Sequence, residues 1–130
     1  NTFTTRYGIK LTQYQFDALL NFTYNYGQSR WRCYDFYLRR LLLEYKNGND
    51  IDPIELKHAF GQCSYSNGFL VGLFRGRIDE WQMFTKADYE VHPYKNNSES
   101  MVGDFTLPTA EERQPGGIYA PDMKWIGYQY

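Results

Sequence analysis

Apolar side chains recur at three- and four-residue steps in four stretches of the chain, a period typical of amphipathic helices. The first stretch, residues 11–27, reads LTQYQFDALLNFTYNYG. Thr12 can cap the helix start through its hydroxyl while Gln15 reaches back to the free backbone N–H, and Gly27 suits the left-handed turn after a helix end. The predicted buried face consists of Phe16, Leu19, Leu20, Thr23 and Tyr26.

Two further helices are predicted before the middle of the chain. Residues 30–48 repeat apolar side chains over four to five turns, at Trp31, Tyr34, Leu38, Leu41, Leu42 and Tyr45. Asp52 and Pro53 then supply a side-chain cap and a proline at the first helical position, and Glu55 places a carboxylate in the favourable field of the first turn. We expect this third helix to end near Phe60.

The fourth predicted helix covers residues 69–84, with a common face of Leu70, Leu73, Phe74, Arg77, Trp81 and Phe84. Arg75 and Arg77 can pair with Asp79 and Glu80 at three- and four-residue spacing. An arginine of this helix that points into an apolar seam would need a carboxylate partner from elsewhere in the fold, because an unpaired buried charge is costly.

Beyond Tyr94 the chain becomes polar and shows no sustained period, so residues 95–130 are interpreted as a tail or docking arm. Residues 1–94 form a helical lobe. The predicted fold class is therefore all-α, a helical lobe followed by an irregular C-terminal arm.

Composition and charge argue against some classes of function for this chain. The formal net charge is -1, from 14 Lys+Arg and 15 Asp+Glu, so no global field attracts nucleic acid or anionic lipid. No apolar run approaches the roughly 18 residues that a membrane span requires. Aromatic residues make up 19% of the chain. Half-exposed tyrosines and tryptophans suit the binding of sugars or peptides, although a tyrosine-rich core explains the count equally well.

The two cysteines, Cys33 and Cys63, stand far apart and have no CxxC or histidine-rich company, so neither a metal site nor a cofactor is expected. Two unpaired thiols are expected, and a disulfide between Cys33 and Cys63 is the alternative. His58 is interpreted as a surface or interface histidine, because no nucleophile stands near it in a recognisable setting.

Two of the helical stretches resemble the phage-type, T4-like lysozyme family of endolysins and muramidases. LTQYQFDALLNFTYNYG is similar to its "LTQxQFDALxSFxYNxG" helix, and GLFRGRIDEWQMF to its "GLxxRRxxEWxLF" helix. The first match is carried by Gln15, Asp17, Ala18, Leu19, Phe22, Asn25 and Gly27. The second is carried by Gly72, Leu73, Arg77, Glu80, Trp81 and Phe84.

The resemblance covers residues 1–90 and implies the larger, helical lobe of such an enzyme. It implies that the cleft and its sugar contacts are formed by Tyr24, Asn25 and Gly27. It also implies that Arg75 or Arg77 approaches the catalytic acid from behind. The chain departs from the family at Gly76, where the first of two consecutive arginines usually lies close to that acid and tunes its pKa.

The family's catalytic Glu, Asp and Thr precede the first helix by several dozen positions, whereas only ten residues precede Leu11. We therefore expect the catalytic segment to be supplied by a cleaved or separate chain. Asp79 and Glu80 cannot replace it, because adjacent helical residues point about 100° apart. Alternatively, the tail resembles the family's N-terminal segment, and a circularly permuted enzyme would use Glu112 and Asp122.

The expected function is thus one wall of a muramidase that hydrolyses the β-1,4 bonds of bacterial peptidoglycan, at the cell wall or in a virion. The expected partners are peptidoglycan and the catalytic segment or another protein chain. The alternative is a non-catalytic structural or interaction module that keeps the lysozyme scaffold, since an exposed cleft wall leaves an apolar patch for a partner.

Overall fold

The computed structural model describes residues 8–26, 37–46, 50–90 and 106–121. They contain four helices: α1 (Gln13–Tyr26), α2 (Tyr37–Lys46), α3 (Pro53–Gly61) and α4 (Val71–Lys86). Helix α4 packs against α1 and α3, and α2 packs against α3. Within these ranges the chain forms no strand, only a single bridge between Tyr65 and Phe69. The all-α prediction is confirmed.

The core lies where α1 and α3 pack against α4, and phenylalanine rings form its centre. The Phe22 ring of α1 meets the Phe60 ring of α3 edge-on, with centroids 5.7 Å apart. Phe60 in turn contacts Phe84 of α4 at 6.3 Å. The indole N–H of Trp81 donates to the Pro53 carbonyl at 2.9 Å, which fixes α4 on the start of α3.

Two helix starts follow the capping chemistry that the sequence predicts. The backbone N–H of Thr12 donates to Gln15 Oε1 at 3.0 Å, and the Gln15 N–H donates to Thr12 Oγ1 at 3.2 Å. Both halves of the capping box are therefore present. Asp52 caps α3 by accepting the Ile54 N–H at 2.9 Å, and Ala87, in the left-handed conformation, ends α4.

Two leucines that the sequence pattern places on apolar helix faces are exposed to solvent. Leu20 of α1 is 53% exposed, and Leu70 is 45% exposed as the residue before α4. Helix α1 instead turns Ala18, Leu19 and Phe22 inward. The face is rotated because the Phe22 ring fills the contact with α3, and this rotation leaves Leu20 facing solvent.

The C-terminal residues 106–121 fold back onto α3 and α4. Tyr119 is 5% exposed, and its ring meets those of Phe74 and His58 edge-on at 5.2 Å each. Its backbone carbonyl accepts the Tyr65 hydroxyl at 2.8 Å. His58, half-buried beneath this ring, has its pKa lowered by burial and then by Lys57. The described part of the arm is thus packed against its own lobe.

Several predicted features lie outside the described residues: Trp31, Cys33, Tyr34 and the Asn47-Gly48 helix end. Cys63 is buried, with its sulfur 3.7 Å from the Ala59 carbonyl oxygen. None of the helices in the described ranges combines the length and apolarity needed to cross a bilayer.

Candidate functional site

Helices α1 and α4 pack antiparallel, so the C-terminal turn of α1 lies against the first half of α4. At one end of the seam, the Tyr89 hydroxyl donates to Asp17 Oδ2 at 2.6 Å. At the other end, the Arg77 guanidinium carbon lies 5.1 Å from the Phe22 ring centroid and 5.9 Å from that of Tyr26. At this second end, Asn25 of the predicted sugar-contacting residues and Arg77 of the predicted arginines both lie beside Glu80.

A buried ion pair lies inside the seam. Arg77 and Glu80 are 3% and 1% exposed, and Arg77 Nε approaches Glu80 Oε1 to 2.7 Å. Hydrogen bonds, however, reach only the other carboxylate oxygen: Arg77 Nη2 donates to Oε2 at 3.1 Å, and Asn21 Nδ2 donates to it at 2.7 Å. Among the described residues, Glu80 Oε1 and Arg77 Nε have no hydrogen-bond partner of acceptable geometry. The expectation that a buried arginine of this helix takes its partner from elsewhere in the fold is therefore wrong, because the carboxylate belongs to α4 itself.

Burial dominates the electrostatics of this pair. Desolvation raises the pKa of Glu80 from 4.5 to about 7, against the lowering effect of Arg77 and of the Asn25 and Asn21 amides. A carboxylate with a single hydrogen-bonded oxygen beside aromatic rings recovers little of the hydration that it loses. The raised pKa is therefore consistent with the geometry.

Two asparagine amides near the end of α1 lie beside the buried carboxylate. Asn25 Nδ2 donates to the Asn21 carbonyl at 2.9 Å and approaches Asn21 Oδ1 at 3.4 Å, while Asn21 donates to Glu80. Both amide nitrogens consequently face the seam. The Asn25 nitrogen is thus engaged, and because the residue is exposed its amide oxygen remains available as an acceptor.

Exposed positions lie at the end of α1 and on α4. Among the described residues, a Cβ built on Gly72 or Gly76 of α4 would meet nothing within 4 Å. Tyr24, one residue before Asn25, is 89% exposed. An exposed ring next to an amide suits contact with a flat polar ligand.

The predicted site residues have different surroundings. Tyr24 and Asn25 are exposed at the end of α1, and Gly27 lies outside the described residues. Arg77 is buried, and Arg75 is partly exposed. Neither permutation candidate joins this surface within the described ranges. Glu112 caps a turn of the arm by accepting the Thr109 N–H at 2.8 Å, and Asp122 is not described.

Sequence reasoning missed Asn21, the residue that links Glu80 to Asn25. A signal for it exists, because Asn21 and Asn25 are four residues apart and share one face of α1. In the described part of the chain, no three His, Cys, Asp or Glu side chains gather closely enough to hold a metal ion.

The four helices of the described residues form an all-α, lysozyme-like lobe. Residues 1–80 match the phage lysozyme family, more than half of the chain, so this chain belongs to that family. The family consists of lysozyme-type muramidases. No curated protein and no solved structure matches the chain.

Proposed function

We propose that this chain forms one wall of the substrate cleft of a muramidase that hydrolyses the β-1,4 glycosidic bonds of bacterial peptidoglycan. The observation that carries the proposal is the exposed end of α1, where the Tyr24 ring stands beside Asn25, whose amide nitrogen donates to the Asn21 backbone carbonyl. Peptidoglycan lies outside the cytoplasmic membrane, so the site of action is the bacterial cell wall, reached by an endolysin or from a virion.

The catalytic acid comes from another segment in this proposal. Glycoside hydrolysis needs a carboxylic acid of raised pKa that reaches the leaving oxygen, and a second group that positions water. Glu80 has the raised pKa, but it is 1% exposed and already engaged by Arg77. It therefore stabilises the wall of the cleft, and a separate N-terminal segment supplies the groups that contact substrate.

The open space that the described residues leave over Gly76 supports the proposal that a separate segment supplies the catalytic groups. A side chain from an opposing lobe can approach the α4 backbone there without meeting a Cβ. Arg75, the preceding and partly exposed residue, then takes the role of the arginine close to the catalytic acid, while Arg77 is occupied inside the lobe. The sugar chain contacts Tyr24 and the Asn25 amide oxygen.

Reconstitution tests the proposal. The chain is mixed with an N-terminal segment that carries the family's Glu, Asp and Thr, and clearing of a purified cell-wall suspension is followed by turbidity. We expect clearing only when both parts are present. A pair that assembles but leaves every peptidoglycan intact would contradict the proposal and favour a non-catalytic interaction module.

Binding of the chain alone to insoluble peptidoglycan, measured by co-sedimentation, tests the surface directly. Tyr24→Ala should weaken binding about five- to tenfold, because a lost aromatic contact is worth about 1 kcal/mol. Tyr45→Ala is the matched control, since Tyr45 is an exposed tyrosine of α2 at 38%. Equal losses in the two variants would place the binding surface elsewhere.

A further inference from the structure

A second concave site lies between the arm and the loop that joins α3 to α4. It is an open pocket of about 390 Å³ lined by Tyr65, Phe69, Ala110, Arg113, Gln114 and Pro115. This volume is at the lower end of the range for small-ligand sites, about 300–1,000 Å³. None of these residues belongs to α1 or to the predicted sugar-contacting surface.

The loop wall of the pocket is held by ring contacts and a tight turn. The Tyr65 and Phe69 rings meet edge-on at 5.6 Å, and Phe69 contacts the buried Phe74 at 5.8 Å. Asn67 and Gly68 between them adopt positive φ angles of 58° and 118°. The apolar floor is consequently anchored in the core.

The arm wall is held by its own capping box and by the loop. Thr109 and Glu112 exchange hydrogen bonds of 2.8 and 3.1 Å, which closes the turn that leads to Arg113. The Tyr65 hydroxyl, donating to the Tyr119 carbonyl at 2.8 Å, ties this segment to the loop. Both walls are therefore preformed, which reduces the ordering cost of binding.

Arg113 supplies the charge of the pocket. Its guanidinium carbon lies 4.9 Å from the Phe69 ring centroid, and it lines the cavity. Within the described ranges its buried Nε has no hydrogen-bond partner and the guanidinium forms no ion pair. The neighbouring Glu112 carboxylate is occupied by the Thr109 N–H. A guanidinium over an aromatic floor suits a carboxylate attached to a small apolar group.

We propose that this pocket binds the C-terminal carboxylate of a short peptide, with the last side chain against Phe69, Tyr65 and Pro115. Two sources present this chemistry, the stem peptides of peptidoglycan and the end of an ordinary protein chain. If the ligand is a peptidoglycan stem peptide, the pocket is a second substrate-binding site of the proposed muramidase. Only this assignment rests on the proposed function.

Peptide titration of the full chain, followed by amide chemical shifts in NMR spectra, tests the pocket. The probes are N-acetyl-D-Ala-D-Ala, N-acetyl-L-Ala-L-Ala and the C-terminal amide of each. We expect at least one free acid to shift arm and loop signals, and its amide to bind about tenfold more weakly because the charge-assisted bonds are lost. Preference for the D-peptide assigns the site to wall stems, and preference for the L-peptide assigns it to protein ends.

Three variants complete the test. Arg113→Gln should reproduce the tenfold loss, whereas the control Arg40→Gln removes an exposed arginine that also lies over a ring, that of Tyr37 at 5.2 Å, and should change nothing. Ala110→Trp fills the cavity without touching the charge and should abolish binding even if Arg113→Gln disturbs the arm. Equal binding of acid and amide, or of wild type and Ala110→Trp, would overturn the proposal.

Discussion

Replacing Glu80 by glutamine should change how the stability of the lobe depends on pH. Glutamine keeps the shape and can still accept from Asn21, but it carries no charge and cannot titrate. In the wild type, the pKa of Glu80 is raised from 4.5 to about 7 on folding, chiefly by burial. A raised pKa means that the folded state binds the proton more tightly than the unfolded state, so this group favours folding most at low pH.

The size of the effect follows from the two pKa values. The difference between 4.5 and about 7 corresponds to about 3 kcal/mol. The stabilising contribution of Glu80 is complete below its pKa in the unfolded state. It decreases between the two pKa values and is lost above the pKa in the folded state. Glu80 is 1% exposed, so solvent does not screen the interaction. Arg77 stays charged throughout, and its attraction to the ionised Glu80 is already contained in the folded-state pKa.

Urea unfolding of the wild type and Glu80→Gln at about pH 4 and about pH 8 measures this contribution. The wild type should lose about 3 kcal/mol relative to the variant across that interval. The exposed Glu111→Gln serves as the control and should follow the wild type within about 0.5 kcal/mol. A stability difference that does not change with pH would show that Arg77 and the asparagines balance the effect of burial. A difference that favours the wild type at high pH would show that they outweigh it.

Three further variants test packing and capping by thermal or urea unfolding. Gly61→Ala should destabilise by about 1–3 kcal/mol, because the new Cβ would lie 2.5 Å from Tyr119 Cε1. Gly76→Ala, with open space around the Cβ, should instead stabilise by up to about 1 kcal/mol through helix propensity, and equal effects at the two glycines would contradict this reasoning. Thr12→Ala should cost about 1 kcal/mol by removing the acceptor for the Gln15 N–H, and an unchanged midpoint would mean that the capping box contributes nothing.

Local signals in the sequence were sufficient to predict where the four helices lie. The starts of α1 and α3 depend on contacts within three residues, Thr12 with Gln15 and Asp52 with Ile54, so capping chemistry predicts them. The rotation of α1 could not be predicted in this way. Leu20 and Phe22 are both apolar, and the choice between them depends on Phe60, which is distant in sequence.

The candidate site shows the same limit. Family resemblance selected Tyr24 and Asn25, but no local pattern indicated that Asn21 would meet Glu80, 59 residues away. The arm is a second case, because residues 106–121 lack helical periodicity and yet bury Tyr119. That contact requires Gly61, whose missing side chain makes room for the ring, and a glycine near a helix end has no single meaning in a sequence.

The buried Arg77–Glu80 pair matters more for the polar contacts that it makes than for the stability of α4. A buried ion pair is weak support for a fold, since apolar replacements of similar volume are often neutral or stabilising. An apolar pair, however, could not accept the Asn21 amide, which donates to Glu80 Oε2 at 2.7 Å. The raised pKa of Glu80 is thus the cost of an acceptor inside the seam. The pair therefore provides polar contacts for the asparagine amides of α1 that apolar side chains of the same volume could not provide.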